Sequence, residues 1–143
     1  MDPLDLNILN VTVKPIASRS TLRLIATLRS NVSGDITSEE RERFIEWFDT
    51  FYEHVRQHQM PFCIIYMFES IGNPEDLRFL LDVLRTKREL TRQYSVGTCV
   101  VAPPLISLAV NAVTNMYECS GTIHTVETLD EAKQICRQRA QAR

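Results

Sequence analysis

The sequence predicts an α/β fold: a single mixed, mostly parallel five-stranded sheet with four helices, in the order ββαβαβαβα. Residues 62–68 (FCIIYMF) are apolar throughout and follow Pro61, as expected of a central strand covered on both faces. Thr21 to Arg29 alternates Leu22, Leu24, Ala26 and Leu28 against Arg23, Thr27 and Arg29, the period-two pattern of a half-buried strand. Thr37-Ser38-Glu39-Glu40 and Thr128-Leu129-Asp130-Glu131 each have the form of a capping box ahead of apolar residues at helical spacing.

Along the chain, Leu6, Ile8, Val11 and Val13 mark a first strand ending near Lys14-Pro15, close enough to the second to form a hairpin. Asn31 to Asp35 is turn-rich, and Gly34 there can take positive φ. The first helix opens on Thr37, with Glu40 reaching back, turns Phe44, Ile45, Phe48, Phe51, Tyr52 and Val55 inward, and ends near His58. After the third strand, Asn73-Pro74-Glu75-Asp76 reads as N-cap, proline at the first helical position and acids in the first turn. The second helix has Leu77, Leu80, Leu81 and Leu84 on one face and runs through a basic segment to about Gln93, and Gly97 resets the chain. Cys99 to Ala102 is a short buried strand stopped by Pro103-Pro104. Leu105, Leu108, Ala109, Ala112, Val113 and Met116 mark a third helix closed by Ser120-Gly121. Ile123 to Val126 is the fifth strand, and the last helix turns Ala132, Ile135 and Cys136 inward. Each later strand–helix–strand passage needs a right-handed crossover, so the last strands are expected to run parallel. A single domain is expected over 1–143, with its ordered core at about 6–138 and a polar tail beyond.

The bulk numbers narrow the function classes. With 16 basic and 18 acidic residues the formal net charge is −2, which supplies no general attraction to nucleic acid, so no nucleic-acid partner is expected. The run 62–68 is far too short to span a bilayer, so the chain is not expected to be an integral membrane protein. Cys63, Cys99, Cys119 and Cys136 are widely separated with no CxxC, and Cys63 and Cys99 sit in apolar runs where a reduced thiol packs as a small hydrophobe. The acidic start MDPLDLNILN lacks the basic and apolar regions of a signal peptide. These features together point to a cytoplasmic protein.

Few motifs carry chemistry. GxGxxG, GxxxxGK[ST] and GxSxG are absent, and no Ser/His or Cys/His signature stands out, so no catalytic residue and no cofactor is expected. His54 and His58 have the i, i+4 spacing of metal ligands but lack a third, which makes a solvated helix face the better reading; no metal site is expected, and His124 stands alone in a strand. Arg85, Arg88 and Arg92 share a face by the three-and-four spacing. They read as a solvated surface first, and as a patch for an anion or acidic partner second. Glu69, at the C-terminal end of the third strand, lies where open α/β sheets place ligands.

The order of elements, and above all the stretch Thr98 to Ala132 (TCVVAPPLISLAVNAVTNMYECSGTIHTVETLDEA) with Ser120-Gly121 followed by Thr122-Ile123, resembles the STAS domains. These are the anti-sigma-factor antagonists and sulphate-transporter tails, and the resemblance covers nearly the whole chain. It implies a non-enzymatic regulatory module that binds a protein partner through the loop and helix start after the third strand. Carried onto this chain, that edge comprises Glu69, Ser70, Gly72, Asn73, Glu75 and Asp76. Family switches carry an Asp-Ser-Gly type motif with a phosphorylatable serine there, whereas Ile71-Gly72-Asn73-Pro74-Glu75-Asp76 has no hydroxyl. Glu75 and Asp76 read as helix-capping acids and, in the functional reading, as a permanently charged counterpart of the phosphorylated loop. The Sec14-type lipid-binding lobe shares much of this topology, so a lipid or nucleotide held over the strand ends is the alternative.

Overall fold

The expected hairpin forms, and a further short strand precedes it. The computed structural model describes residues 2–6, 9–16, 21–28, 37–68, 79, 82–102 and 123–141. Strand β1 (Leu4–Asp5) pairs antiparallel with β2 (Leu9–Ile16), and β2 pairs antiparallel with β3 (Thr21–Leu28), Leu9 opposite Leu28 and Ile16 opposite Thr21. The sheet therefore has six strands where the sequence pattern predicts five. The reason is local: the Leu6 N–H donates to the Leu9 carbonyl at 2.8 Å, so the chain reverses where the apolar pattern reads as one continuous strand. Both Leu4 and Leu6 reach the core by that reversal. Pro15 is tolerated in β2 because β1 covers only Asn10 and Val11, leaving the far end of β2 without a donor to supply on that side.

Helix α1 (Ser38–His58) starts where the capping chemistry places it. Thr37 is extended and its hydroxyl accepts from the Glu40 N–H at 3.2 Å, satisfying one of the first-turn donors. Glu39 and Glu40 lie at the positive end of the helix dipole, Arg56 and His58 at the negative end. Gln59 stops the helix in the left-handed conformation, φ 49°, its N–H donating to the Val55 carbonyl. Phe44, Phe48, Phe51, Tyr52 and Val55 are buried as expected. Ile45, expected inward, is 40% exposed, and Trp47 takes its place, stacked on Phe51 and donating its indole N–H to the Asp2 carbonyl at 2.9 Å. The apolar stripe is thus centred on residues 44, 47/48, 51/52 and 55, and Ile45, about 100° round from Phe44, falls off its edge.

Strand β4 (Phe62–Phe68) occupies the expected span and pairs parallel with both neighbours, β3 and β5 (Ser95–Val101). β6 (Ile123–Val126) adds to β5, again parallel, giving strands in chain order across the whole sheet. With right-handed crossovers, strands laid down successively in one direction put their connecting helices on one face. α1 and the helical residues 82–85 obey this: Phe44, Phe51, Tyr52 and Val83 join Leu24, Ala26, Phe62, Ile64 and Val100 in one cluster. Helix α3 (Leu129–Gln141) follows β6 and covers the opposite face. There Ala132 and Cys136 pack with Cys63, Ile65, Cys99 and Val101. β4 is covered on both faces, as its unbroken apolar run predicts.

Two boundaries differ from the sequence pattern. The second helix does not run unbroken to Gln93: the chain turns at Thr86–Lys87 before helix α2 (Arg88–Tyr94). Thr86 caps its own backbone, its hydroxyl donating to the Val83 carbonyl at 2.6 Å, while Lys87 N–H donates to Leu84 O at 3.0 Å; these i to i−3 bonds tighten and end the turn. β5 begins at Ser95 rather than Cys99, and Gly97 lies inside it. The pairing steps from Phe62↔Ser95 to Cys63↔Gly97, an irregularity that leaves one extra residue on β5, and glycine is the residue that bulges in strands favour. The third helix read over 105–116, and Leu77, Leu80 and Leu81 of the second, lie outside the described residues.

Tyr52 supplies a direct test of this packing. It is among the largest fully buried side chains, makes edge contact with Phe62 at 5.7 Å between ring centroids, and shares a 2.9 Å hydrogen bond with the Thr91 hydroxyl. Burial pushes its phenol up to about 12, the bond to Thr91 acting weakly the other way. Because the folded phenol holds its proton above the pH at which the unfolded one releases it, this contribution is full below about pH 10 and falls away as pH rises towards 12. A spectrophotometric titration at 295 nm should show one tyrosine ionising only as the protein unfolds in alkali, a step absent from Tyr52→Phe. Ionisation of every tyrosine near pH 10 with the fold intact would contradict the burial.

Candidate functional site

The edge implied by the STAS resemblance, Glu69, Ser70, Gly72, Asn73, Glu75 and Asp76, lies outside the described residues. Its root is described. β4 delivers the chain at Phe68, buried in the larger core, and the adjacent β5 ends at Val101 and Ala102, also buried. Since β3 to β6 are parallel, the chain leaves β4 at the edge of the sheet formed by strand C-termini.

The basic segment is built differently from its sequence spacing. The turn at Thr86–Lys87 separates Arg85 from α2, so the three arginines do not share one helix face; only Arg88 and Arg92 do. Lys87 is spoken for by Asp49 of α1, Nζ to Oδ1 2.5 Å, and Arg92 stands 3.8 Å from Glu89. The Tyr52–Thr91 bond docks α2 against α1. Arg85 is exposed, and the Nε of the half-buried Arg88 is buried with no hydrogen-bond partner. Arg85 and Arg88 are therefore the two members of the patch left to meet an anionic group.

His54 and His58 lie on α1 with ring centroids 4.6 Å apart and their planes tilted by 52°. Burial, and then the charge of His58, holds His54 below the usual imidazole range. Among the described residues no group of three or more His, Cys, Asp or Glu side chains is arranged to hold a metal ion. His124 is not isolated: its Nε2 lies 2.9 Å from Arg139 Nη2, a strand-to-helix contact that sequence spacing does not reveal.

The cysteines depart most from expectation. Cys63, read as a reduced core thiol, is joined to Cys136 in a disulfide, with Cα atoms 6.1 Å apart and a sequence separation of 73. Cys63 lies on the α3 face of β4 and Cys136 on the inward stripe of α3, so both are buried by their own element's periodicity and meet only when α3 folds back. Cys99 is free and buried, and burial pushes its thiol up, away from the reactive thiolate. Cys119 lies outside the described residues.

No protein-family model matches the chain, and neither the curated proteins nor the solved structures contain a match to it. Among the described residues no helix is long and apolar enough to cross a membrane.

Proposed function

We propose that this chain is a non-enzymatic regulatory module of STAS type that binds a protein partner through the segment from Glu69 to Asp76. The observation that supports the reading is the strand order. An antiparallel hairpin leads into parallel strands laid side by side in chain order, and the segment in question leaves the sheet where strand C-termini gather. In open α/β sheets that edge is where recognition concentrates. Glu75 and Asp76 give it fixed negative charge, and 71–76 holds no hydroxyl, Ser70 preceding it, so binding through these acids is constitutive. Arg85 and Arg88 supply a second, positive group for an acidic stretch of the same partner.

Affinity purification followed by mass spectrometry of proteins and of extracted small molecules tests the proposal. One stoichiometric protein partner is expected; a stoichiometric lipid or nucleotide instead would replace it with the Sec14-like ligand-binding reading. With the partner in hand, replacing Glu75 and Asp76 by Gln and Asn should weaken binding in calorimetry while the melting temperature stays within a few degrees. The reason is that exposed acids at a helix start contribute only about 0.3–1 kcal/mol each. Equal affinities would remove this edge from the interface. A cytoplasmic setting belongs to the same proposal, and the disulfide makes it testable. Thiols trapped by alkylation at the moment of lysis should show Cys63 and Cys136 reduced if the compartment is reducing.

A further inference from the structure

The face of the sheet beneath α3 carries a row of cations with no counter-charge among the described residues. Lys14 of β2 is the cross-strand partner of Arg23 of β3, and Arg23 is in turn the partner of Cys63 of β4. All three lie on the α3 side, since Ile16, Ile25 and Ile65, each two residues further along, belong to the cluster that α3 covers. The Cys63–Cys136 bond sets α3 above this row, and Arg137, the residue after Cys136, stands near enough to Arg23 for the two charges to interact. Arg139 lies beyond it, packed over Gly97, where an added Cβ would stand 3.8 Å from its Cγ.

Arg23 is poorly served by this arrangement. Its Nε is buried without a hydrogen-bond partner. Burial first, and then the charge of Arg137, lowers its pKa from the usual guanidinium value. Among the described residues neither Lys14, Arg23 nor Arg137 forms an ion pair with a carboxylate. A chain of net charge −2 has more acids than bases, yet no described acid pairs with these positions. A buried cationic donor beside a second cation costs free energy unless an anion completes it.

We infer that Lys14, Arg23 and Arg137 form a binding site for the phosphate group of a small molecule, at the end of the sheet opposite the proposed partner edge. Two guanidinium groups offer forked donors that match the oxygens of a phosphate, and three cations favour a dianion over a single carboxylate. The site lies near the N-terminal ends of β3 and β4, away from Phe68, so it stands or falls independently of the partner edge.

The probe is inorganic phosphate, titrated at constant ionic strength with chloride as the balancing ion, and read by thermal melting and by the Arg23 Nε–H resonance in NMR spectra. A saturable rise in Tm and a saturable shift of that resonance are expected. Arg137→Gln removes an exposed side chain and Arg23→Met keeps an apolar stem. Each should melt at or above wild type in phosphate-free buffer and lose the phosphate response. A flat wild-type titration, an equal response to chloride alone, or a response surviving in both variants would overturn the assignment. Should Arg23→Met fail to fold, Arg137→Gln and Lys14→Gln decide the question by the same readouts.

Discussion

Ile65→Asp is expected to abolish cooperative folding. Ile65 is fully buried in the middle of β4, hydrogen-bonded in register between Ile25 of β3 and Cys99 of β5, and packed beneath α3. A carboxylate there is packed among Ile16, Cys63, Cys99, Val101 and Ala132, and burying a charge among apolar neighbours costs several kcal/mol against a total stability of about 5–15 kcal/mol. Neutralising it by protonation leaves a polar group among apolar neighbours, which is only a partial remedy. Circular dichroism and size-exclusion chromatography should show an unfolded or aggregated product. Ile65→Val, which keeps the shape and loses one methylene, should fold and cost about 0.5–1.5 kcal/mol. A soluble Ile65→Asp with an unchanged melting temperature would mean that β4 is not the centre of the sheet.

The second large effect concerns the disulfide. Cys63 and Cys136 close a loop of 73 residues, and cross-linking a loop of that length removes conformational entropy from the unfolded chain worth about 4 kcal/mol. Reduction with dithiothreitol should therefore lower the urea midpoint substantially, and the Cys63→Ala, Cys136→Ala double variant should behave like the reduced protein in either condition, less the cost of two small cavities. Hydrogen exchange should locate the loss in α3, since Cys136 is one of its two buried contacts, with Ala132 the other. Identical denaturation curves with and without reductant would show that the two sulfurs are not bonded in solution. Reduction should also weaken the phosphate response, because the bond ties the residue next to Arg137 to the strand beside Arg23.

Much of the secondary structure was legible because its causes are local. Thr37 and Thr128 each accept the N–H three residues on, at 3.2 Å in both cases, and that bond depends on nothing outside the four residues concerned. FCIIYMF has no polar position to turn outward, so a strand with both faces covered is the arrangement that buries all of it. The same reasoning misplaced Ile45, because the stripe on a helix is centred by what it packs against and a residue at its edge can fall either way. It also carried one helix through Thr86, where the choice lay between continuing the ladder and a side-chain bond to Val83, a competition that helix periodicity does not register.

The candidate site was legible in part. The basic segment was visible from Arg85, Arg88 and Arg92, but its partition was not: the ion pair from Lys87 to Asp49 and the bond from Thr91 to Tyr52 are contacts with α1, some forty residues earlier. Arg23 looked like an ordinary outward residue of an alternating strand. What changes its character is α3, which arrives more than a hundred residues later and covers the face that the alternation reads as solvent.

By itself the sequence determined the α/β class, the hairpin followed by parallel strands, and the two capped helix starts, each through groups within a few residues of one another. Only the tertiary structure decided that Cys63 meets Cys136, that His124 meets Arg139, that Gly97 sits inside a strand, and that Lys14 and Arg23 stand side by side on the face that α3 covers. Those contacts join elements far apart along the chain. Each residue's own periodicity sets which way it points, whereas what stands opposite depends on the crossovers and on α3, which follows β6 and covers the other side of the sheet.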